Sequence, residues 1–373
     1  MSEEIAQRIA RDLEVPGLTE LLADRLPGSD LHSLLLSVLK RRIAKIEPPQ
    51  LKRPNAASQA CDLDGRLLQD VERAGYNSAS QFEAIELSPL NPLGALGALT
   101  RLDQANAVST VRAFECTSDP TLGLAIESAR RRQRPADRKR TTRLCTVQRV
   151  VRFPVPVKPG FRAHFKLFSL VSAARDAGSF AFEAAALREH IAIYLSLLAN
   201  LKPLGFFFDE IAVEISDTRA VAHLCSMSGI DRNEIRASVR ANDPASAARL
   251  LAKYPATWPA RIASPAEELA AFDLPMHLLI QLRRLEEDVC APLRAEHAHA
   301  RFEFNMHRLT GLGYYEGPCF HIVLKNQRGE KYALADGGFV DWTRRMLLDD
   351  KERLLTSAIG IELLCRMFRS SPK

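Results

Sequence analysis

The stretch Arg308-Leu-Thr-Gly-Leu-Gly-Tyr-Tyr-Glu-Gly-Pro-Cys-Phe320 constrains the fold more than any other segment of the chain. Gly311 and Gly313 allow the backbone to approach another molecule closely, and Tyr314 and Tyr315 could then line a ligand pocket. The other interpretation is a buried strand that places one aromatic ring in the core. The stretch alone leaves both interpretations open.

Strand-like segments lie on both sides of this stretch, and helical segments are interposed between them. The predicted strands are residues 82–87, 143–153, 161–172, 211–215, 301–306, 319–325 and 331–335. The strongest predicted helix covers residues 182–201, and further helices are predicted at 63–74, 119–132, much of 217–300 and from Ile361. Strands that look like antiparallel hairpins, with helices between them, predict an α+β fold.

Four further segments keep a fixed order around the opening stretch. They are Ser118-Asp-Pro-Thr121, Val151-Arg-Phe-Pro154 with Phe165-Lys-Leu-Phe168, Asp336-Gly-Gly-Phe-Val-Asp341, and Ala358-Ile-Gly-Ile-Glu-Leu363. In this order the five segments resemble the catalytic core of class II aminoacyl-tRNA synthetases, specifically the histidyl branch. They are similar to that branch's R-P-E-G-T segment, motif 2, histidine motif, G-G-R-Y-D turn and motif 3.

The resemblance implies a particular architecture. It predicts a six- or seven-stranded antiparallel sheet flanked by helices within residues 61–373, and a homodimer formed through a motif 1 equivalent near residues 67–93. Residues 1–46 have no counterpart in the resemblance and read as helices, and the proline-containing residues 47–60 read as a linker. The apolar positions of the N-terminal segment could bind a protein partner or a second subunit, or could cover an edge of the sheet in the same chain.

Several departures from the family pattern bear on activity. Arg152 retains the motif 2 arginine, but Pro154 stands in place of the motif 2 glutamate. Thr310 and Leu363 replace the arginines of the histidine motif and of motif 3, and removing one such donor typically costs about 3 kcal/mol of transition-state stabilisation. The chain also ends ten residues after Leu363, so we expect no anticodon-binding domain.

These departures favour a histidyl-tRNA-synthetase-like paralogue that does not charge tRNA and acts as a ligand-binding regulatory or assembly subunit, similar to the regulatory subunit of short-form ATP phosphoribosyltransferase. The core pocket would then bind a small molecule. The candidate ligand-binding residues are Asp119, Thr121, Arg152, Arg162, Thr310, Tyr314, Tyr315, Gly337, Gly338 and Asp341. Asp119 matches the family glutamate that holds the substrate amino group, yet Asp119-Pro120 is also a good helix N-cap. Gly337-Gly338 could form a pocket floor or a turn.

Two other functions remain open. An ATP-dependent ligase that activates a different carboxylate would use ATP and magnesium, with Arg344 or Arg366 reaching in to replace the lost arginine. An RNA-binding protein would use the basic residues 130–143, which contain eight basic side chains against one aspartate. A solvated helix end and loop is the favoured interpretation of that basic segment, because it has no interleaved aromatic residues on which bases could stack.

Composition excludes several other classes of protein. The 373 residues are 46% hydrophobic and 26% charged, which is typical of a globular chain. The formal charge of +6 is small for this length and does not by itself indicate nucleic acid binding. Seven dispersed cysteines without a C-x-x-C motif indicate neither a disulfide framework nor a zinc ribbon. We expect a cytoplasmic protein without a membrane span or a metal, since His297, His299 and His307 alone do not make a site.

Overall fold

The structure is a computed structural model that describes residues 2–53, 55–100, 102–155, 159–241, 244–263 and 272–369. Part of the loop predicted between residues 154 and 159 lies outside the described residues. The strands are β1 (Glu83–Ala84), β2 (Leu90–Pro92), β3 (Phe114–Cys116), β4 (Thr142–Val151), β5 (His164–Arg175), β6 (Glu210–Asp217), β7 (Arg261–Ile262), β8 (Arg301–Asn305), β9 (Pro318–Lys325), β10 (Lys331–Val340) and β11 (Glu352–Gly360).

The helices lie mostly between these strands, with three at the N-terminus. They are α1 (Ser2–Asp12), α2 (Leu18–Glu20), α3 (Gly28–Ile43), α4 (Gly65–Ser78), α5 (Ala95–Thr100), α6 (Pro120–Arg131), α7 (Ala181–Leu201), α8 (Thr218–Met227), α9 (Arg232–Ala241), α10 (Pro244–Leu251), α11 (Met276–Leu285), α12 (Ala291–Glu296), α13 (Trp342–Leu347) and α14 (Ile361–Phe368). π-Helical turns continue α2 as Leu21–Arg25 and connect α11 with α12 as Glu286–Cys290.

One large sheet organises the described chain. Its strand order is β1-β4-β5-β11-β10-β9-β6-β8-β7. The six strands from β4 to β6 in this order pair antiparallel, whereas β1 pairs parallel with β4 and β8 pairs parallel with β6. The α+β prediction is therefore confirmed. The six antiparallel strands match the expected six or seven, and three further strands, β1, β8 and β7, extend the described sheet to nine at its two edges.

Two apolar layers cover the two faces of the sheet. On one face α4, α7 and α14 pack on the strands around Phe168, Tyr194 and Phe320, which are almost fully buried. On the other face α5, α6 and α13 form a smaller layer around Leu122, Leu144 and Trp342. Side chains alternate between the two faces along each strand. The smaller layer does not cover the whole of its face, and polar residues occupy the rest of that face.

Glycine positions account for two differences from the sequence prediction. Gly75 was expected to end a helix, but α4 continues through it to Ser78. A Cβ atom on Gly75 would lie 3.3 Å from the Phe168 ring, so glycine allows the helix to pack closely on β5. Likewise, Gly337-Gly338 lies inside β10, so the turn interpretation is wrong.

The N-terminal helices carry apolar side chains that remain exposed. No described residue before Leu68 is buried, and Leu34, Leu35 and Val38 of α3 are 45%, 39% and 46% exposed. This exposure argues against the interpretation that the segment covers a sheet edge of its own chain. Residues 47–60, predicted as a linker, include a short 3₁₀ helix at Pro48–Lys52, and the domain division itself stays a prediction.

Two general properties can be stated from the described residues. None of their helices is both long and apolar enough to cross a membrane. All seven cysteines are free thiols.

Candidate functional site

The N-terminus of α6 positions the first candidate residues. The Asp119 Oδ1 atom accepts hydrogen bonds from the Thr121 backbone nitrogen at 2.9 Å and from the Thr121 hydroxyl at 2.7 Å. Pro120 occupies the first helical position, where no backbone N–H is required. The N-cap interpretation of Asp119 is therefore confirmed. The cap uses only one carboxylate oxygen, which leaves the other one for a second contact.

Arg152 makes that second contact. Its Nη2 atom lies 3.6 Å from Asp119 Oδ2 and donates a hydrogen bond of 2.8 Å to the Ser118 carbonyl oxygen. The guanidinium carbon lies 5.4 Å from the centre of the Phe165 ring on β5, a cation–π distance. The side chain of Arg152 is 43% exposed and that of Asp119 is 23% exposed. Asp119 and Arg152 thus form an ion pair that solvent can reach.

The opening stretch forms a turn between β8 and β9. Gly311, Gly313 and Gly317 have φ angles of 97°, 81° and 94°, which side-chain-bearing residues rarely adopt. The Thr218 hydroxyl anchors the end of the turn by accepting a hydrogen bond of 2.8 Å from the Gly317 nitrogen. Tyr315 is consequently buried, but it lies on a turn and not on the strand that the alternative interpretation expected.

Gly338 supports the ring of Tyr315. A Cβ atom at Gly338 would lie 2.6 Å from the Tyr315 ring and 2.7 Å from Cys319 Cβ. Such distances are too short for any side chain, so the tyrosine packs directly on the backbone of β10. Gly338 is therefore a floor for Tyr315. The neighbouring Gly337 faces the opposite layer, where its Cβ would meet Phe320 and Ser357.

Asp336 on β10 is the centre of a second ion pair. Its Oδ1 atom accepts hydrogen bonds from Arg308 Nη2 at 2.7 Å and from the Tyr315 hydroxyl at 3.0 Å. Its Oδ2 atom lies 3.5 Å from His321 Nε2. The Arg308 side chain is 1% exposed, whereas the Asp336 side chain is 52% exposed. An almost fully buried guanidinium therefore holds a carboxylate that remains open to the surface.

The surroundings of Asp336 keep it ionised. Burial among neighbouring groups would raise its pKa, but the charge of Arg308 and the contacts with His321 and Tyr315 lower it by more. The net result is a pKa well below the usual range of an aspartate. Conversely, the pKa of Arg308 is raised despite its burial. Asp336 is thus a fixed negative charge at neutral pH.

Tyr314 connects the two ion pairs. Burial is the main reason that its pKa lies well above the usual value, and Asp119 and Asp336 raise it further. Arg152 and a hydrogen bond with Thr121 act in the opposite direction. All these groups therefore lie close enough to Tyr314 to affect its hydroxyl. We call Asp119, Arg152, Tyr314, Arg308 and Asp336 the sheet-face group.

Buried polar atoms without partners lie on the same face of the sheet. The Thr146 and Gln148 side chains of β4 and the Ser169 side chain of β5 alternate with residues of the other layer. Thr146 Oγ1, Gln148 Oε1 and Ser169 Oγ have no hydrogen-bond partner among the described residues, and the same holds for Ser118 Oγ and Arg308 Nη1. Buried polar atoms are normally paired, so this concentration is typical of a binding site and not of a core.

The structure does not bring every candidate residue to this group. Arg162 points towards Asp62, with 3.4 Å between Nη2 and Oδ2. Asp341 lies within 4 Å of Arg344 and Arg345 of its own helix. The Thr310 residue is exposed, and it contributes its carbonyl oxygen to Arg308 Nε at 3.0 Å. A ligand role for these three residues stays a prediction.

The sequence interpretation missed Arg308 and Asp336. Both lie inside quoted motifs, but their pairing spans 28 positions and no spacing rule links them. The sequence contained one signal for Asp336. An aspartate is unusual within the apolar part of a strand such as β10, where the residues before and after it are buried.

Several solved structures have a fold similar to that of this chain. An ATP phosphoribosyltransferase regulatory subunit/histidyl-tRNA synthetase from Bacillus halodurans superposes with a TM-score of 0.64 at 16% identity, covering 86% of this chain and 83% of that one. A histidine–tRNA ligase subunit from Alicyclobacillus acidocaldarius gives 0.62 at 15% identity, covering 84% and 96%. Apo histidyl-tRNA synthetase from S. aureus gives 0.53 at 12% identity, covering 84% and 72%.

The chain has the fold of these histidyl-tRNA synthetase structures. At these identities the likeness establishes the fold alone. No protein-family model matches the chain, and no curated protein matches it.

The class II fold makes the substituted arginine positions easy to locate. Leu363 lies on α14, half-buried and beside Gly160. Arg366, one turn further along, has a 10% exposed side chain that contacts Asp62 and Glu362. Arg344 pairs with Glu316 at 2.8 Å. Neither of the arginines considered as replacements is therefore free to reach the sheet-face group.

Most arginines of the basic segment are neutralised within this fold. Arg132 forms a fully buried bidentate pair with Glu352, with both distances 2.9 Å. Arg138 pairs with Asp349 at 2.8 Å, and Arg143 pairs with Glu189 at 2.8 Å. Arg131 and Arg130 likewise contact acidic side chains. The segment therefore stabilises the fold through ion pairs, which weakens the RNA-binding interpretation.

The three histidines considered as metal ligands have other contacts. His297 and His299 stack edge to face with their ring centres 5.9 Å apart. His307 packs against Tyr254 at 4.9 Å. In the described part of the chain, no three His, Cys, Asp or Glu side chains gather as metal ligands would.

Proposed function

We propose that the chain is a histidyl-tRNA-synthetase-like subunit that binds a small amino-acid-like ligand and does not charge tRNA. One observation carries the proposal. The sheet-face group combines an accessible Asp119–Arg152 pair with unpartnered buried polar atoms, whereas the positions of the two expected activating arginines hold Thr310 and Leu363. The chain therefore retains features that suit binding and lacks features that suit adenylation.

The two charges at the edge of the group fit a zwitterion. Asp119 presents a carboxylate oxygen that the α6 cap does not use, and an ammonium group could bind there. Arg152 offers a half-exposed guanidinium, which suits a carboxylate. Asp336, held ionised by Arg308, lies further along the face and favours a ligand whose distal end donates a hydrogen bond or carries positive charge.

Adenylation requires more positive charge than this face provides. Attack on ATP gathers negative charge at the phosphates, and preorganised cations stabilise it by about 3 kcal/mol each. Arg366 and Arg344 are held by carboxylates elsewhere. Arg308, although close, is buried against Asp336 and is thereby neutralised. We therefore expect no aminoacyl-adenylate formation.

Two measurements on the purified full-length chain test this proposal. The first is ATP–pyrophosphate exchange with magnesium and the twenty standard amino acids, for which we expect no signal above background. The second is the melting temperature with each amino acid added alone, for which we expect an increase with at least one of them. Exchange above background would instead support the ligase alternative, and the absence of any thermal shift would contradict an amino-acid-like ligand.

Matched variants make the binding test specific. Asp119→Asn removes the charge but retains a good N-cap, because asparagine caps helices as well as aspartate does. We expect it to abolish the ligand-induced shift while α6 stays intact. Asp288→Asn, at an exposed position remote from the group, should leave the shift unchanged. If the ligand raised the melting temperature of both variants equally, Asp119 would not be part of the binding site.

We further propose that the protein forms a homodimer through the region of residues 67–93, and that the N-terminal helices bind a protein partner. Exposed apolar residues on α1 and α3, such as Ile5, Leu34 and Val38, support the second part. Light scattering on the purified protein should give twice the chain mass. A Leu34→Glu/Val38→Glu variant should have the same mass, because we assign these residues to binding of the protein partner and not to the dimer. A monomeric mass for the unaltered chain would contradict the dimer.

A further inference from the structure

A second concave site lies beyond the turn that carries Tyr314 and Tyr315. It is a cavity of about 850 Å³ between α9, α11, the N-terminal end of α7 and the C-terminal end of β10. Residues Leu312 to Glu316 form one wall, so that Tyr315 separates this cavity from Asp336. Of the sheet-face group, Tyr314 lines the cavity, whereas Asp119, Arg152, Arg308 and Asp336 do not. The cavity therefore adjoins the sheet-face group at Tyr314 but does not share its charged residues.

The acidic side chains that line this cavity already have basic partners. Arg353 contacts Asp176 at 2.6 Å and Glu183 at 3.2 Å. Arg344 contacts Glu316 at 2.8 Å. The two remaining acids, Asp341 and Glu352, pair with arginines as described above. These carboxylates consequently offer little attraction for a cation.

Three arginines on the helical wall are different. Arg232 and Arg236 lie one turn apart on α9 and face the cavity together with Ile235 between them, and Arg284 faces it from α11. Within the described residues, none of the three has a hydrogen-bond or ion-pair partner. We call them the arginine triplet. Their charges reinforce each other, and no carboxylate among the described residues pairs with them.

A buried amide supports the assignment independently. Gln281, one turn before Arg284 on α11, also lines the cavity. Its Nε2 atom is buried and has no hydrogen-bond partner in the described chain. Such a donor is costly unless an acceptor is provided, and Gln281 Nε2 and the guanidinium groups of the triplet are all donors. The wall therefore favours an anion that is rich in acceptor oxygens.

We propose that the arginine triplet and Gln281 bind the diphosphate group of a small phosphorylated molecule. Guanidinium groups match phosphate oxygens in pairs, and three of them suit an anion with several negative charges. The volume suits a small molecule. An RNA chain would need an extended basic track, and the nearest candidate, residues 130–143, is largely consumed by internal ion pairs.

Titration with inorganic pyrophosphate tests the proposal on the full-length protein. Isothermal calorimetry in metal-free buffer should show saturable binding that weakens as salt is added. The double variant Arg232→Gln/Arg236→Gln should bind at least about tenfold more weakly, since each lost charge-assisted bond is worth roughly a factor of ten. Arg284→Gln should weaken binding as well. Arg283→Gln, an exposed neighbour that does not line the cavity, should bind like the unaltered protein.

Three results would overturn the proposal. The first is the absence of saturable pyrophosphate binding, and the second is an equal loss in Arg283→Gln and in the double variant, which would indicate a general charge effect. The third is binding of an RNA hairpin by the arginine triplet without binding of pyrophosphate. Because all four arginines are exposed, we expect the variants to fold, and far-ultraviolet circular dichroism with a thermal melt checks this directly.

Discussion

Acidification should destabilise this protein through one buried histidine. His190 lies on α7 with no exposed surface, and it contacts Ser172 Oγ of β5 at 3.0 Å and Ser357 Oγ of β11 at 2.7 Å. The Tyr194 hydroxyl shares Ser357 at 2.8 Å. His190 therefore connects the long helix to two central strands of the sheet, β5 and β11.

The size of the effect follows from the pKa of His190. Burial, aided by the charge of Arg143, lowers that pKa from 6.5 to about 3. Protons therefore bind preferentially to the unfolded chain, so stability is complete above pH 6.5 and falls as the pH decreases towards 3. One pKa unit corresponds to about 1.4 kcal/mol, so lowering the pH from 7 to 5 should remove about 2 kcal/mol through this residue alone.

Urea unfolding at pH 7 and pH 5 measures this contribution. His190→Gln cannot be protonated, so its loss of unfolding free energy between the two pH values should be about 2 kcal/mol smaller than that of the unaltered protein. The two pH values are compared within each protein, so the effect of the substitution on the free energy of unfolding at pH 7 cancels. His277→Gln, at an exposed position on α11, should show the unaltered dependence. The same dependence in all three proteins would refute the reasoning.

Three further outcomes are expected. Gly338→Ala should lower the free energy of unfolding by about 1–3 kcal/mol, because the added Cβ would overlap the Tyr315 ring; thermal melts measure this. Glu352→Gln should cost about 3–5 kcal/mol in urea unfolding, because it leaves the buried Arg132 without a counter-charge. Alkylation of the native protein, followed by mass spectrometry, should modify Cys61 and Cys116 first, since the other cysteines are buried.

Each of these outcomes has a control or a contrary result. Gly65→Ala introduces a Cβ that meets nothing within 4 Å and should leave the melting temperature nearly unchanged. Asp70→Asn removes an exposed pair with Arg73 and should cost no more than about 1 kcal/mol. Modification of Cys319 at the same rate as Cys61 would contradict the burial that raises the Cys319 pKa to about 12.

Local chemistry in the sequence predicted several parts of the structure correctly. Asp119-Pro120 predicted the start of α6, because capping depends only on neighbouring residues. The apolar run of α7 and the paired strands β4 and β5 were likewise predicted from their patterns. Motif order predicted the class II fold, although each motif alone was weak.

The sequence was least informative where the structure depends on distant contacts. β11 was not predicted as a strand, because as a central strand it is buried on both faces and has no alternation to detect. The pairing of Arg308 with Asp336 requires the turn and β10 to meet, which no spacing rule indicates. The arginine triplet combines residues of α9 and α11, which are distant in sequence, and only the packing of these helices reveals it.

The Gly311–Gly317 segment has a consequence for how the two sites communicate. One side of it delivers the Tyr315 hydroxyl to Asp336, and its other side is a wall of the arginine cavity. Thermodynamic linkage is reciprocal. If an anion in the cavity displaces this segment and thereby changes the affinity of the sheet-face group for its ligand, that ligand changes the affinity for the anion by the same factor. We therefore expect this segment to couple the two proposed sites, and comparing the affinity for each ligand with and without the other ligand measures the coupling free energy.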